Sequence, residues 1–197
     1  ARAGAPAFTS LPSGNTAIGQ VGTTLSQPFV VAVTDSFGNA VIGANVRYAI
    51  TSSPSGAIGQ GPRDTTVVSD VQGQTSVRFT TGTKAGSYAM LVSVGSLTPQ
   101  IVTVDASAGP AAALAAATVS SQSGVVSTTL PQPMAVTVLD AFGNPVSGAT
   151  VDFIITSAPT GASGQQLSTA SVVTGADGQA SAQFTLGTKA GSYTVAA

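Results

Sequence analysis

Asp35-Ser36-Phe37-Gly38-Asn39-Ala40-Val41-Ile42-Gly43-Ala44-Asn45-Val46 decides how this chain is read, because it returns as Asp140-Ala141-Phe142-Gly143-Asn144-Pro145-Val146-Ser147-Gly148-Ala149-Thr150-Val151. The offset is 140 − 35 = 105 residues. Gly82-Thr83-Lys84-Ala85-Gly86-Ser87-Tyr88 and Gly187-Thr188-Lys189-Ala190-Gly191-Ser192-Tyr193 keep the same spacing, 187 − 82 = 105. The chain is therefore a tandem repeat, divided at 1–107 and 108–197. A unit of about 100 residues is long enough to bury an ordinary core.

Within the quoted stretch, the residue types specify a turn between strands. An aspartate can cap the turn through its own side chain, and Gly38-Asn39 or Gly143-Asn144 can supply a positive φ. Phe37 and Phe142 are expected to pin the turn to the core. Working backward, 28–34 alternates around Val31 and Val33 and reads as a strand, with 133–139 as its copy. Working forward, Val46, Tyr48 and Ile50, copied as Val151, Phe153 and Ile155, alternate with polar or small residues as a half-buried strand does.

Residues 65–69 and 170–174 follow, each built on a Val-Val pair. The next turns are Asp70-Val71-Gln72-Gly73 and Gly175-Ala176-Asp177-Gly178, in which the glycine keeps its place while the aspartate moves. Residues 74–80 and 179–185 are further strands, with Phe79 and Phe184 at equivalent core positions. After the Gly-Thr-Lys-Ala-Gly-Ser corner, Tyr88 and Tyr193 can bury their rings and return their hydroxyls to backbone, as in a tyrosine corner. Residues 100–104 close the first unit. Ala111 to Ala117 has helical propensity, but Gly109-Pro110 before it and Thr118-Val119-Ser120 after it argue for an extended segment. Each unit thus has seven or more short strands, and the fold class is all-β: two tandem immunoglobulin-like antiparallel β-sandwiches.

Composition excludes whole classes of function. The 197 residues include no histidine, cysteine, tryptophan or glutamate, and only two lysines. The usual nucleophile and acid–base sets cannot be assembled, so catalytic and cofactor-binding residues are expected to be none and the protein not to be an enzyme. A net charge of −1, with 7% charged residues, lacks the electrostatic footprint of nucleic-acid binding. No apolar run approaches the ~20 residues of a membrane span, so direct membrane insertion is not expected. Without cysteine, each unit stands on its hydrophobic core.

Seven aspartates remain: Asp35, Asp64, Asp70, Asp105, Asp140, Asp152 and Asp177. Calcium prefers six to eight oxygens, commonly from several carboxylates. There is no Asp-x-Asp cluster, so the aspartates are read as turn caps and the metal set as none. An intramolecular Lys–Asn isopeptide bond would need a buried lysine, whereas Lys84 and Lys189 lie in a Gly-flanked corner and are expected to be solvated. The asparagines form no Asn-x-Ser/Thr acceptor.

The ordered blocks Asp-x-Phe-Gly-Asn-x-Val-x-Gly-x-x-Val, Gly-Gln and Thr-Lys-Ala-Gly-x-Tyr resemble the bacterial immunoglobulin-like domains of group one, the stalk repeats of intimin and invasin type adhesins. The resemblance spans almost the whole chain twice. It implies an extracellular or bacterial cell-surface array whose partners are other Ig-like domains of the same or a neighbouring chain. It does not imply an adhesive tip, which in those adhesins lies in terminal modules.

In the register of the repeat, Ala197 matches Val92, 197 − 105 = 92, so the second unit lacks its final strand within this chain. Either these residues are a piece of a longer array, or another chain donates the strand and joins subunits into a homopolymer; a second unit that closes some other way is the third account. Three functions follow. The first is a stalk or spacer, two sandwiches in line joined by 105–110; the second is a self-assembling filament subunit; the third is a carbohydrate-binding accessory module. Without tryptophan the third is the weakest.

Overall fold

The computed structural model describes residues 2–118 and 121–197. It divides into two compact units, Ala1–Ser107 and Ala108–Ala197. The expected strand character of Val119 and Ser120 lies outside the described residues.

The first unit has eight strands: β1 (Phe8–Ser10), β2 (Thr16–Gln20), β3 (Phe29–Thr34), β4 (Asn45–Ser52), β5 (Asp64–Val68), β6 (Gln74–Val77), β7 (Gly86–Val94) and β8 (Gln100–Ser107). They form a three-stranded sheet, β1-β3-β6, and a five-stranded one, β2-β8-β7-β4-β5. Alternation drives this. Along β3, Phe29, Val31 and Val33 are buried, and along β7 Tyr88, Met90, Val92 and Val94 are buried. These rows meet Val46, Tyr48, Phe79, Val102 and Val104 in one core between the sheets.

One pairing departs from the antiparallel expectation: β2 runs parallel to β8, with Thr16 opposite Thr103 and Gln20 opposite Ser107. The cause is a change of sheet. The chain runs antiparallel to β3 as β1, turns at Leu11–Gly14 and continues along the free edge of β8. An edge strand is thereby covered, and its backbone groups find partners.

Among the described residues the second unit has nine strands: β9 (Ala111–Ala116), β10 (Met134–Asp140), β11 (Thr150–Asp152), β12 (Ile154–Ser157), β13 (Gln166–Leu167), β14 (Ser171–Val173), β15 (Gln179–Ala182), β16 (Phe184–Thr185) and β17 (Thr194–Ala196). The alanine run 111–116 is extended and pairs antiparallel with β10. The remaining pairings are β10 with β15, β11 with β14, β12 with β17 and β13 with β16. Its core gathers Val138, Val151, Phe153, Ala180 and Ala182, and Phe184 is buried as well.

Candidate functional site

The repeated turn is organised by a buried carboxylate. Asp35 Oδ1 accepts the backbone N–H groups of Phe37 and Asn39, both at 2.9 Å, and Oδ2 accepts the side-chain amide of Asn39 at 3.0 Å and the N–H of Gly4 at 2.8 Å. Asp140 repeats the set with Phe142, Asn144 and Gly109. Each aspartate therefore ties the incoming chain, 31 residues upstream, to the turn. Donation from the Gly4 N–H, followed by the Asn39 amide, holds the Asp35 carboxyl at about 2, below its ordinary 3.8. For Asp140, burial pushes upward, but the Asn144 amide and the surrounding N–H groups outweigh it and the net direction is down. Gly38 and Gly143 adopt φ of 81° and 75°, the left-handed conformation that completes the turn.

Phe37 and Phe142 do not pin this turn to the core. Phe37 is 88% exposed and Phe142 44%. The carboxylate already fixes the turn from inside by drawing in the N–H of residue 37, and this leaves the aromatic ring on the outer tip. The positions that bury the turn are Val33, Val41 and the aspartate itself.

Both tyrosines make a corner. The Tyr88 hydroxyl donates to the Lys84 carbonyl at 2.6 Å and that of Tyr193 to the Lys189 carbonyl at 2.7 Å. Their rings meet Phe79 and Phe184 edge-on, at centroid distances of 5.9 and 5.8 Å. The glycine opening each corner block is obligatory for space. A Cβ on Gly82 or Gly187 would stand 2.8 Å from the tyrosine oxygen.

Among the described residues no three acidic side chains converge on a common point. Asp64 is instead paired with Arg47, at 2.6 Å between Nη2 and Oδ2, and Asp70 and Asp177 cap their own turns through Gln72, Gln74 and Gln179 N–H groups. Among the described residues no helix is long and apolar enough to cross a membrane.

Where the register of the repeat places the final strand outside these residues, the second unit has a groove of about 620 Å³. Its walls are 121–124 on one side and 191–197 on the other, and its floor includes Leu130, Phe153 and Phe184.

A polar turn clamp and a tyrosine corner, repeated on an all-β framework, define a tandem of immunoglobulin-like modules. Residues 131–197 match the family described as bacterial Ig-like domain (group 1). The 105-residue repeat carries the same blocks through the first unit. The chain is also 40% identical over 126 residues to the inverse autotransporter adhesin YeeJ of Escherichia coli K12; this covers 61% of the chain and 5% of the relative. Solved structures that it resembles include the Escherichia coli adhesin FdeC, at 20% identity over 98% of this chain and 60% of that one with a TM-score of 0.49. Another is invasin, a bacterial integrin-binding protein, at 22% identity over 95% of this chain and 35% of that one with a TM-score of 0.40.

Proposed function

We propose that these residues are a non-enzymatic spacer, a section of the stalk of a bacterial surface adhesin, whose neighbours are further Ig-like domains. The observation that carries this reading is the 40% identity to an inverse autotransporter adhesin, spread over 126 residues. It is supported by how the repeat spends its shared residues. The positions common to both units serve turn clamps, tyrosine corners and core, which keep a module folded and fix where the chain enters it. A module built this way transmits position and load; it has no need of a reacting group.

The test is to shorten the reach. Deleting 1–197 in frame from the parent gene is expected to bring the distal end of the surface protein closer to the cell, measured by antibody-tip force microscopy, while ligand capture by that end persists. Loss of capture with unchanged reach would refute a spacer role.

A further inference from the structure

We propose that the first unit pairs with a second copy of this chain along the free edge of β5, the two β5 strands running antiparallel with Thr66 opposite Thr66. The backbone shows which groups are on offer. The Ile50 N–H donates to the Arg63 carbonyl and the Ser69 N–H to the Ala44 carbonyl, so the odd-numbered residues of this segment turn their polar groups toward β4. By the two-residue period of a strand, the N–H and C=O groups of Asp64, Thr66 and Val68 point the other way. Among the described residues β5 ends its sheet and pairs with β4 alone, so these groups have no strand beside them. The second unit repeats the arrangement. The Phe153 N–H donates to the Ala170 carbonyl and the Thr174 N–H to the Ala149 carbonyl, which leaves Ser171 and Val173 of β14 facing outward.

Exposed edges are ordinarily blunted by charge, proline, bulges or brevity. The other strands that end a sheet in the first unit are protected in such ways. β1 is three residues long, β6 runs into the exposed Arg78, and on β2 the Gln20 carbonyl is taken by the hydroxyls of Thr23 and Thr81. β5 has none of these guards. It reads Asp64-Thr65-Thr66-Val67-Val68, β-branched after its first residue, and Val68 is 58% exposed, as its counterpart Val173 is 62% exposed. The strand's single charge, Asp64, is held by the Arg47 guanidinium through Nε at 2.9 Å and Nη2 at 2.6 Å.

A second copy is the occupant because the strand is its own complement. With Thr66 on a two-fold axis, Asp64 faces Val68 of the second copy and Val68 faces its Asp64, so every outward residue meets an outward residue and each facing pair exchanges both N–H···O bonds. Thr66 meets Thr66, a favourable cross-strand pair. No like charges oppose one another, since the two Asp64 residues lie at opposite ends of the paired segment and each keeps its own Arg47. A net charge of −1 over 197 residues adds little repulsion. β14 is three residues long against five in β5, and so offers the shorter edge.

The chain has no cysteine, so one introduced thiol reports the register. Thr66→Cys is expected to give a disulfide-linked dimer on mild oxidation, because residues facing each other in such a pair stand about 5.5 Å apart at Cα, within disulfide reach. Thr16→Cys, exposed on the opposite edge strand, is expected to stay monomeric. Sedimentation equilibrium of the full 197-residue chain should show a concentration-dependent dimer. Thr66→Lys sets two cations face to face and should raise its dissociation constant at least about tenfold. The cross-linking result stands whether or not the lysine variant folds. A chain that stays monomeric up to about 1 mM, a dimer indifferent to Thr66→Lys or lost only with Val173→Lys, or cross-linking of Thr16→Cys equal to that of Thr66→Cys would each overturn the assignment.

Discussion

Tyr48 and Thr75 make a buried side-chain pair, the phenol oxygen 2.5 Å from Thr75 Oγ1. Both are almost fully buried, at 0% and 4% exposure. In the second unit the same two positions are Phe153 and Ala180, also buried and also neighbours in the core. The repeat therefore offers both ways of satisfying one site, a hydrogen bond or two apolar side chains. Removing a single partner should be worse than removing both. Tyr48→Phe strands the Thr75 hydroxyl, and Thr75→Val strands the phenol; each is expected to cost about 1–3 kcal/mol, the desolvation penalty of an unpaired buried group. The double variant Tyr48→Phe/Thr75→Val, which copies the apolar solution and preserves volume, should lie within about 1 kcal/mol of the parent. The coupling, the two single costs less that of the double variant, is then about 1–6 kcal/mol, and each single variant lowers the first unit's melting temperature by roughly 4–8 °C per kcal/mol. Guanidinium unfolding followed by far-ultraviolet circular dichroism measures the cost, and hydrogen exchange of Asn45–Ser52 assigns it to the first unit. Single-variant costs that simply add, within about 0.5 kcal/mol, would refute the reasoning.

Three other outcomes follow from the geometry. Phe79→Ala, at a fully buried position, should destabilise the first unit by about 3–5 kcal/mol, whereas Phe37→Ser, on the exposed tip, should change its stability by less than about 0.5 kcal/mol in denaturant unfolding. Asp140→Ala removes the acceptor for Gly109, Phe142 and Asn144 and should cost the second unit about 1.5–3 kcal/mol, read from the same denaturation curves with hydrogen exchange of Met134–Asp140. Because the folded Asp35 carboxyl sits at about 2, below its ordinary 3.8, its contribution is complete above about pH 4 and is lost as pH falls toward 2. Carbon-13 titration of the Asp35 carboxyl should give a midpoint near 2; a midpoint at the ordinary value would show that the Gly4 clamp does not hold in solution.

Much of the architecture is legible in the residue order because it is written locally. Turn glycines, period-two alternation around Val31 and Val33, and a tyrosine four residues past the carbonyl it binds all fall within a few positions of one another. The duplication then says each of these things twice. The alanine run was readable as extended for the same reason, since a Gly-Pro pair directly precedes it.

Pairings across long separations were not legible. That β2 runs parallel to β8, some 87 residues away, depends on which sheet the chain joins after β1. The outward position of Phe37 follows from a carboxylate that also holds Gly4, 31 residues upstream. The Tyr48–Thr75 bond, with its apolar counterpart in Phe153 and Ala180, emerges only when β4 and β6 face each other across the core. Composition and local order settle that the chain makes two β modules. Which faces close and which ring stays in water are decided by contacts between distant strands, because burial is a property of packed sheets and of no single segment.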